Sequence, residues 1–349
     1  MRPTTFTVSG VPISSLQDNE PLRFLGRPVG FRIPSGTGST IDNAISQARA
    51  IMSSMLAPWQ RLDAIRTFVY PALNFAMRCG VYSKTDWRRL DEAVRPLVKR
   101  TLYLPVNAST HYIYGSAAGG AAAIPVAAEL SDVCRIDSAF KLLTTADREL
   151  RDMALSDAYA VASARLGWEA TRSELEAYLS GDIEGVFRTP ATQLRSVWTE
   201  ARKASRRLHV AWTIAPDNTT LTCADVTITS THRNRVMRSI REVLAADRDR
   251  ALHAQPNQGK VMACVSADRA SSHFMRSGAY THFADWRFVH RARLNLLPLN
   301  GAVMWGPPDR DQRCRTCGYQ RETLPHVLGH CIIYGPQARQ LQHIKQASF

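Results

Sequence analysis

Thr85-Asp86-Trp87-Arg88-Arg89-Leu90-Asp91-Glu92-Ala93-Val94-Arg95-Pro96-Leu97-Val98-Lys99-Arg100-Thr101-Leu102 carries Trp87, Leu90, Val94, Leu97 and Val98 at intervals of mostly three and four. Arg88, Arg89, Arg95, Lys99 and Arg100 stand between them. That spacing puts the apolar side chains on one face of an α-helix and the cations on the other. The pattern continues upstream. Ile41, Ile45, Ala48, Ile51, Met52 and Met55 share a face, with Thr40 or Asp42 available as a cap. Pro58 restarts the helix at its first turn, where a missing N–H costs little, and Leu62, Ile65, Phe68, Val69 and Leu73 follow. Helical patterns resume from Ala127 to about Leu179, with a break near Gly167. The expected fold class is mainly α, a helical bundle with basic outer surfaces.

Strand signals are few. Thr5, Phe6, Thr7 and Val8 favour a strand, Gly10 with Pro12 turns the chain, and Phe24-Leu25-Gly26 follows a polar break, so an N-terminal β-hairpin is expected. Thr220 to Ser230 alternates as a strand does. Pro34 to Thr40 reads as a flexible loop and Gly181 to Pro190 as a boundary loop. Gly115 to Pro125 is rich in small residues that let backbones approach closely. It has neither the Gly-Lys-Ser/Thr ending nor the dinucleotide-binding spacing that would make it a phosphate cradle.

Among 349 residues, 45% are hydrophobic, enough to bury a core, and 21% are charged. Lys and Arg number 44 against 30 Asp and Glu, a net charge of +14, which disfavours cation binding and favours a polyanionic partner. No run of eighteen apolar residues occurs, so no membrane partner is expected. Met1 to Gly10 lacks the order of a secretory signal, and the seven cysteines are expected reduced. Three stretches concentrate the cations. Arg195, Arg202, Lys203, Arg206 and Arg207 surround Trp198. Arg233, Arg235 and Arg238 open a helix expected over about His232 to His253. Arg287, His290, Arg291 and Arg293 interleave with Trp286, Phe288 and Leu294. Arginine beside aromatic rings suits phosphate forks and base stacking, so these are the candidate nucleic-acid contacts.

The sharpest motif is Cys314-Arg-Thr-Cys317-Gly-Tyr-Gln-Arg-Glu-Thr-Leu-Pro-His326-Val-Leu-Gly-His330-Cys331, a Cys-x2-Cys-x8-His-x4-Cys pattern. Zinc takes four thiolate or imidazole ligands at tetrahedral corners, and a Cys-x2-Cys turn gives two. The expected ligands are Cys314, Cys317, His326 and Cys331, with His330 a rival fourth. So short a module cannot bury a core, so the metal would supply its folding free energy. Cys79, Cys134, Cys223 and Cys264 are scattered and read as small buried hydrophobes.

This knuckle resembles that of the polyproteins of non-LTR retrotransposable elements that insert at fixed ribosomal-DNA sites. Phe283 to Pro298 is similar to the segment before the knuckle there. Phe24-Leu25-Gly26 is similar to the turn after the polymerase palm, and Pro58-Trp59-Gln60-Arg61-Leu62 through Tyr70-Pro71-Ala72-Leu73 to the helical thumb. The resemblance implies a fragment of a reverse transcriptase and endonuclease that nicks target DNA and primes cDNA synthesis there. It would divide into a palm end (1–33), a helical thumb (34–150), a basic linker (151–270) and a nucleic-acid-binding region (271–349) with the knuckle at 314–331. The implied partners are element RNA and chromosomal ribosomal DNA, and the implied compartment is the nucleus. The parent would use magnesium, for which this chain has no expected site. Phe283-Ala284-Asp285-Trp286 imitates the polymerase's paired carboxylates, but Trp286 replaces the second one and the place is wrong. The endonuclease core would follow the knuckle, where only residues 332–349 stand. The chain alone is therefore expected to be catalytically inactive. The alternative is a free-standing, non-catalytic, zinc-dependent nucleic-acid-binding protein.

Overall fold

A computed structural model of the chain describes residues 6–12, 22–24, 27–29, 39–189, 195–215, 218–278, 281–302 and 309–333. Of the expected loop Pro34–Thr40, residues 34–38 lie outside them, as does the Leu25-Gly26 turn, while Ser39 and Thr40 are the first residues of a helix rather than loop. The fold is mainly α, as the spacing of apolar residues predicts. Strands β1 (Thr7–Val8) and β2 (Val11–Pro12) form a hairpin turned by Ser9 and Gly10 at φ of +50° and +79°. A second antiparallel pair, β3 (Leu22–Phe24) and β4 (Arg27–Val29), follows. The helices are α1 (Ser39–Ser53), α2 (Pro58–Ala64), α3 (Tyr70–Ala72), α4 (Asn74–Cys79), α5 (Lys84–Thr101), α6 (His111–Tyr114), α7 (Ala127–Leu143), α8 (Arg148–Leu166), α9 (Arg172–Ser180) and α10 (Val197–Leu208). A three-stranded antiparallel sheet comes next, β5 (Val210–Ile214), β6 (Thr219–Cys223) and β7 (Val226–Thr229), in the order β5-β6-β7. Helices α11 (Val236–His253), α12 (Lys260–Val265), α13 (Phe274–Ser277) and α14 (Phe283–Arg293) complete the set. No helix among the described residues is long and apolar enough to cross a membrane.

Packing divides the chain into two units that are discontinuous in sequence. The first comprises Met1–Ala48, Thr67–Ala93 and Val126–Val243, the second Arg49–Arg66, Val94–Pro125 and Leu244–Phe349. Each draws on parts of several of the four consecutive segments expected above. Residues 151–270, expected as a linker, hold helices and the three-stranded sheet.

Helix α7 is the axis of the first unit. Leu130, Val133, Cys134, Ile136, Ala139, Phe140 and Leu143 are buried, and so are Asp132 and Asp137. Its first two N–H groups are capped from α5, where Asp91 accepts from Ala127 N at 2.6 Å and Ala128 N at 3.0 Å. Asp132 accepts a two-pronged bond from Arg207 (Nε 2.9 Å, Nη2 2.6 Å) and pairs with Lys84 at 2.6 Å. Asp137 pairs with Arg78 and, at 3.0 Å, with Lys141. The expected strand at 220–230 is two strands joined at Ala224, whose φ of +49° carries no sequence signature. Val210, Trp212, Ile214, Leu221, Cys223 and Ile228 form the buried face, with Trp212 donating Nε1–H to Ser205 at 2.8 Å.

In the second unit α14 is the axis. Trp286 is wholly buried, donates Nε1–H to Thr101 O at 3.0 Å, and meets Trp59 of α2 at 5.6 Å between centroids. Gly278 ends α13 at φ +65° directly against that tryptophan, since a Cβ there would stand 2.1 Å from the Trp59 ring. The small-residue segment serves close packing, as its composition suggests. Ser116 N–H donates to Asp249 of α11 at 3.0 Å, and Gly120, at φ +81°, leaves space for Ser272 and Arg293.

Candidate metal centre

The chain from Gln312 to Glu322 closes a small hairpin. Cys314 N–H donates to Tyr319 O at 2.8 Å, Gly318 N–H to Cys314 O at 2.9 Å, and Glu322 N–H to Gln312 O at 2.8 Å. Gly318 makes the turn at φ +72°. A single π-helical turn then runs over His326–His330 and ends with Cys331 N–H on His326 O at 2.6 Å. That five-residue closure accounts for the x4 spacing. It returns residue 331 to residue 326, whereas an α-helical turn would have favoured residue 330.

Cys314, Cys317, His326 and Cys331 converge, their ligand atoms all within 4.8 Å of one another. A tetrahedral zinc with bonds near 2.3 Å separates its sulfurs by about 3.8 Å, so the cluster has the right size. Cys317 Sγ and His326 Nε2 are 3.2 Å apart. Cys314, His326 and Cys331 are buried, and His330 is exposed and outside the cluster. The N–H groups of Cys317 and Thr316 bring the Cys314 thiol down to about 6, favouring the thiolate a metal needs. Cys317 moves the other way. The Tyr319 N–H lowers it, but desolvation and the thiols of Cys314 and Cys331 outweigh that. Tyr319 stacks on His326 at 4.7 Å and 11°, fixing the imidazole plane. The cluster can hold a metal such as zinc. Among the described residues no other group of three or more such side chains converges. None of the seven cysteines forms a disulfide, and Cys79 and Cys264 are exposed rather than buried.

Glu322 was not singled out in the sequence, yet it ties the knuckle to the turn after α14. Its carboxylate accepts from Arg315 Nε at 3.0 and 3.1 Å and from Asn300 N at 2.6 Å. Its own carbonyl accepts from Gly301 N at 2.9 Å. Burial opposes its ionisation, but the Arg315 guanidinium and the Asn300 and Arg315 N–H groups hold the carboxyl below the usual range. The available signal was its position as the acidic residue between Cys317 and His326.

The expected nucleic-acid contacts separate into two kinds. Arg206, Arg235 and Arg287 are exposed. Lys203 and Arg238 are exposed but paired with Glu200 at 3.1 Å and Glu242 at 2.8 Å. Arg195 donates to Gly80 O at 2.6 Å and Arg233 to Lys141 O at 2.8 Å. Arg202 donates to Tyr178 O at 2.6 Å and lies over the Tyr178 and Phe187 rings. Arg207 is engaged with Asp132, and Arg291 donates to Tyr103 O at 2.8 Å. His290 and Arg293 are buried, contrary to a surface role. Arg293 holds Gly120 O at 2.9 Å and Ser271 O at 2.5 Å, while His290 Nδ1 meets Tyr112 Oη at 2.7 Å. Helix α14 therefore presents Arg287 outward and uses Arg293 to tie loops together.

Burial, with Arg293 nearby, pushes the His290 imidazole well below its ordinary value, so it stays neutral in the fold. The unfolded chain takes up its proton near pH 6.5, and the folded chain does so only at lower pH. The stabilising contribution is complete above about pH 6.5 and is lost as pH falls, by at most about 1.4 kcal/mol per pH unit. Urea unfolding of the parent and His290→Gln at several pH values below 6.5 should show a shallower slope in the variant. Equal slopes would count against a neutral, buried imidazole.

No protein-family model matches the chain. It is 22% identical over 311 residues to "Uncharacterized protein T26G10.4" of Caenorhabditis elegans, an alignment spanning 84% of this chain and 89% of that one.

Proposed function

We propose that the chain is a zinc-dependent nucleic-acid-binding protein, with one zinc held by Cys314, Cys317, His326 and Cys331 and exposed arginines of its basic helices meeting phosphates. The observation that carries this reading is the convergence of three cysteines and a histidine in a chain of net charge +14. The order of the sequence landmarks supports placing that binding in a reverse transcriptase and endonuclease of a ribosomal-DNA-inserting element. In that setting the partners are element RNA and chromosomal DNA, and the compartment is the nucleus. The reading assigns this chain template-primer grip and target contacts, not catalysis.

Salt titration tests it. Binding to duplex DNA should weaken linearly in log–log form, with a slope of roughly 0.9 per phosphate contact. Neutralising Arg287 should flatten that slope by about 0.9. Neutralising Arg293 should leave the slope unchanged and destabilise the fold, because its guanidinium holds Gly120 and Ser271. A protein-binding knuckle, the competing reading, would give a shallow slope that Arg287 does not alter.

A further inference from the structure

A cavity of about 350 Å³ lies beside the knuckle, entirely within the second unit, and Asn257, Lys260, Asn295, Leu299, Arg321 and Leu324 are among its lining residues. We propose that this cavity takes a single unstacked nucleotide, its phosphate at Lys260 and Arg321 and its base against Leu299 and Leu324. The proposal rests on the nucleic-acid reading and names the unit that is bound. A volume of this order suits one small organic ligand. Its chemistry has three parts that match a nucleotide. Lys260 and Arg321 come from distant parts of the chain, are both exposed, and supply two positive charges, with no carboxylate among the described lining residues. Leu299 and Leu324, mostly buried, belong to the apolar part of the lining, with Val261 and Ala302, against which a base can rest. Asn295 brings a carboxamide, which offers a donor and an acceptor to a base edge.

The cavity is also joined to the metal centre through the chain. Leu324 immediately precedes Pro325 and the ligand His326, and Arg321 precedes Glu322. Gly301, another wall residue, donates to Glu322 O at 2.9 Å, and a Cβ on it would stand 2.8 Å from Arg321 Cγ. The wall that carries Arg321 and Leu324 is therefore the one the metal holds in place.

The test uses the full chain loaded with zinc and three probes: 5′-AMP, adenosine and inorganic phosphate. AMP should bind at least about tenfold more tightly than either fragment, since charge and apolar contact both contribute, and a tenfold ratio corresponds to about 1.4 kcal/mol. The double variant Lys260→Gln, Arg321→Gln alters only exposed side chains, so its zinc content and helical circular dichroism should match the parent. It should bind AMP about tenfold more weakly and lower the salt slope on a single-stranded oligonucleotide by about 0.7, the value for the one phosphate that both cations hold. The assignment is overturned if AMP binds no better than phosphate, or if the double variant binds AMP as the parent does. Oligonucleotide binding without AMP binding would overturn the cavity and leave the nucleic-acid reading standing. AMP binding that needs both cations, with no oligonucleotide binding, would uphold the cavity and remove the nucleic-acid reading.

Discussion

Purified Cys317→Ser protein should contain close to no zinc, while His330→Ala should retain one equivalent per chain. A serine hydroxyl cannot replace a thiolate at a tetrahedral zinc site, and the three remaining ligands give a much weaker site. Apparent binding free energies for structural zinc in small modules are roughly 10–16 kcal/mol near neutral pH, so the segment has little else to order it. Residues 312–331 should become sensitive to protease in Cys317→Ser, while the helical circular dichroism of the rest persists. His330 is exposed and the π-helical turn brings Cys331 back to His326 instead, so its loss should leave the metal bound. Full zinc in Cys317→Ser, or zinc loss in His330→Ala alone, would overturn the ligand set.

Asp132→Ala should cost about 3–5 kcal/mol in urea unfolding, the range for removing one partner of a buried ion pair. The substitution leaves Lys84 and Arg207 facing each other without the carboxylate that now lies between them, and Asp132 is only 3% exposed. Both cations are partly exposed and can turn toward water, so the lower end of the range is the expected value. Arg207→Gln should also destabilise, and it should leave the salt slope of DNA binding unchanged. A loss below about 1 kcal/mol for Asp132→Ala, or a flatter salt slope for Arg207→Gln, would return Arg207 to the nucleic-acid surface.

The helices around Trp87 and Leu90 were readable because their apolar period is local. The expected span of residues 85–102 and the observed Lys84–Thr101 differ by one residue at each end. The Cys314, Cys317, His326 and Cys331 cluster was readable for the same reason, since a Cys-x2-Cys turn and a π-helical turn each act within a few residues. What could not be read was long-range. Arg207 and an arginine facing water look alike in sequence, and the carboxylate that claims Arg207 lies 75 residues away. Arg293 reaches Gly120 across 173 residues. Strand β5 escaped notice because only His209 separates it from α10, although the turn signal Pro216-Asp217-Asn218 follows it, and the turn to β7 uses Ala224 at positive φ where Gly is the usual signal.

The Glu322 carboxylate, with Arg315 on one side and Asn300 on the other, has a kinetic consequence. Amide hydrogens at Asn300, Gly301, Cys314 and Cys331 are closed by bonds that all run through the knuckle or through Glu322. They should therefore open together, as one cooperative block, rather than fray in sequence from Cys331. Saturating metal would slow the exchange of the whole block by one common factor, set by the ratio of free metal to its dissociation constant, and a chelator would remove that protection from Asn300 as fully as from Cys314.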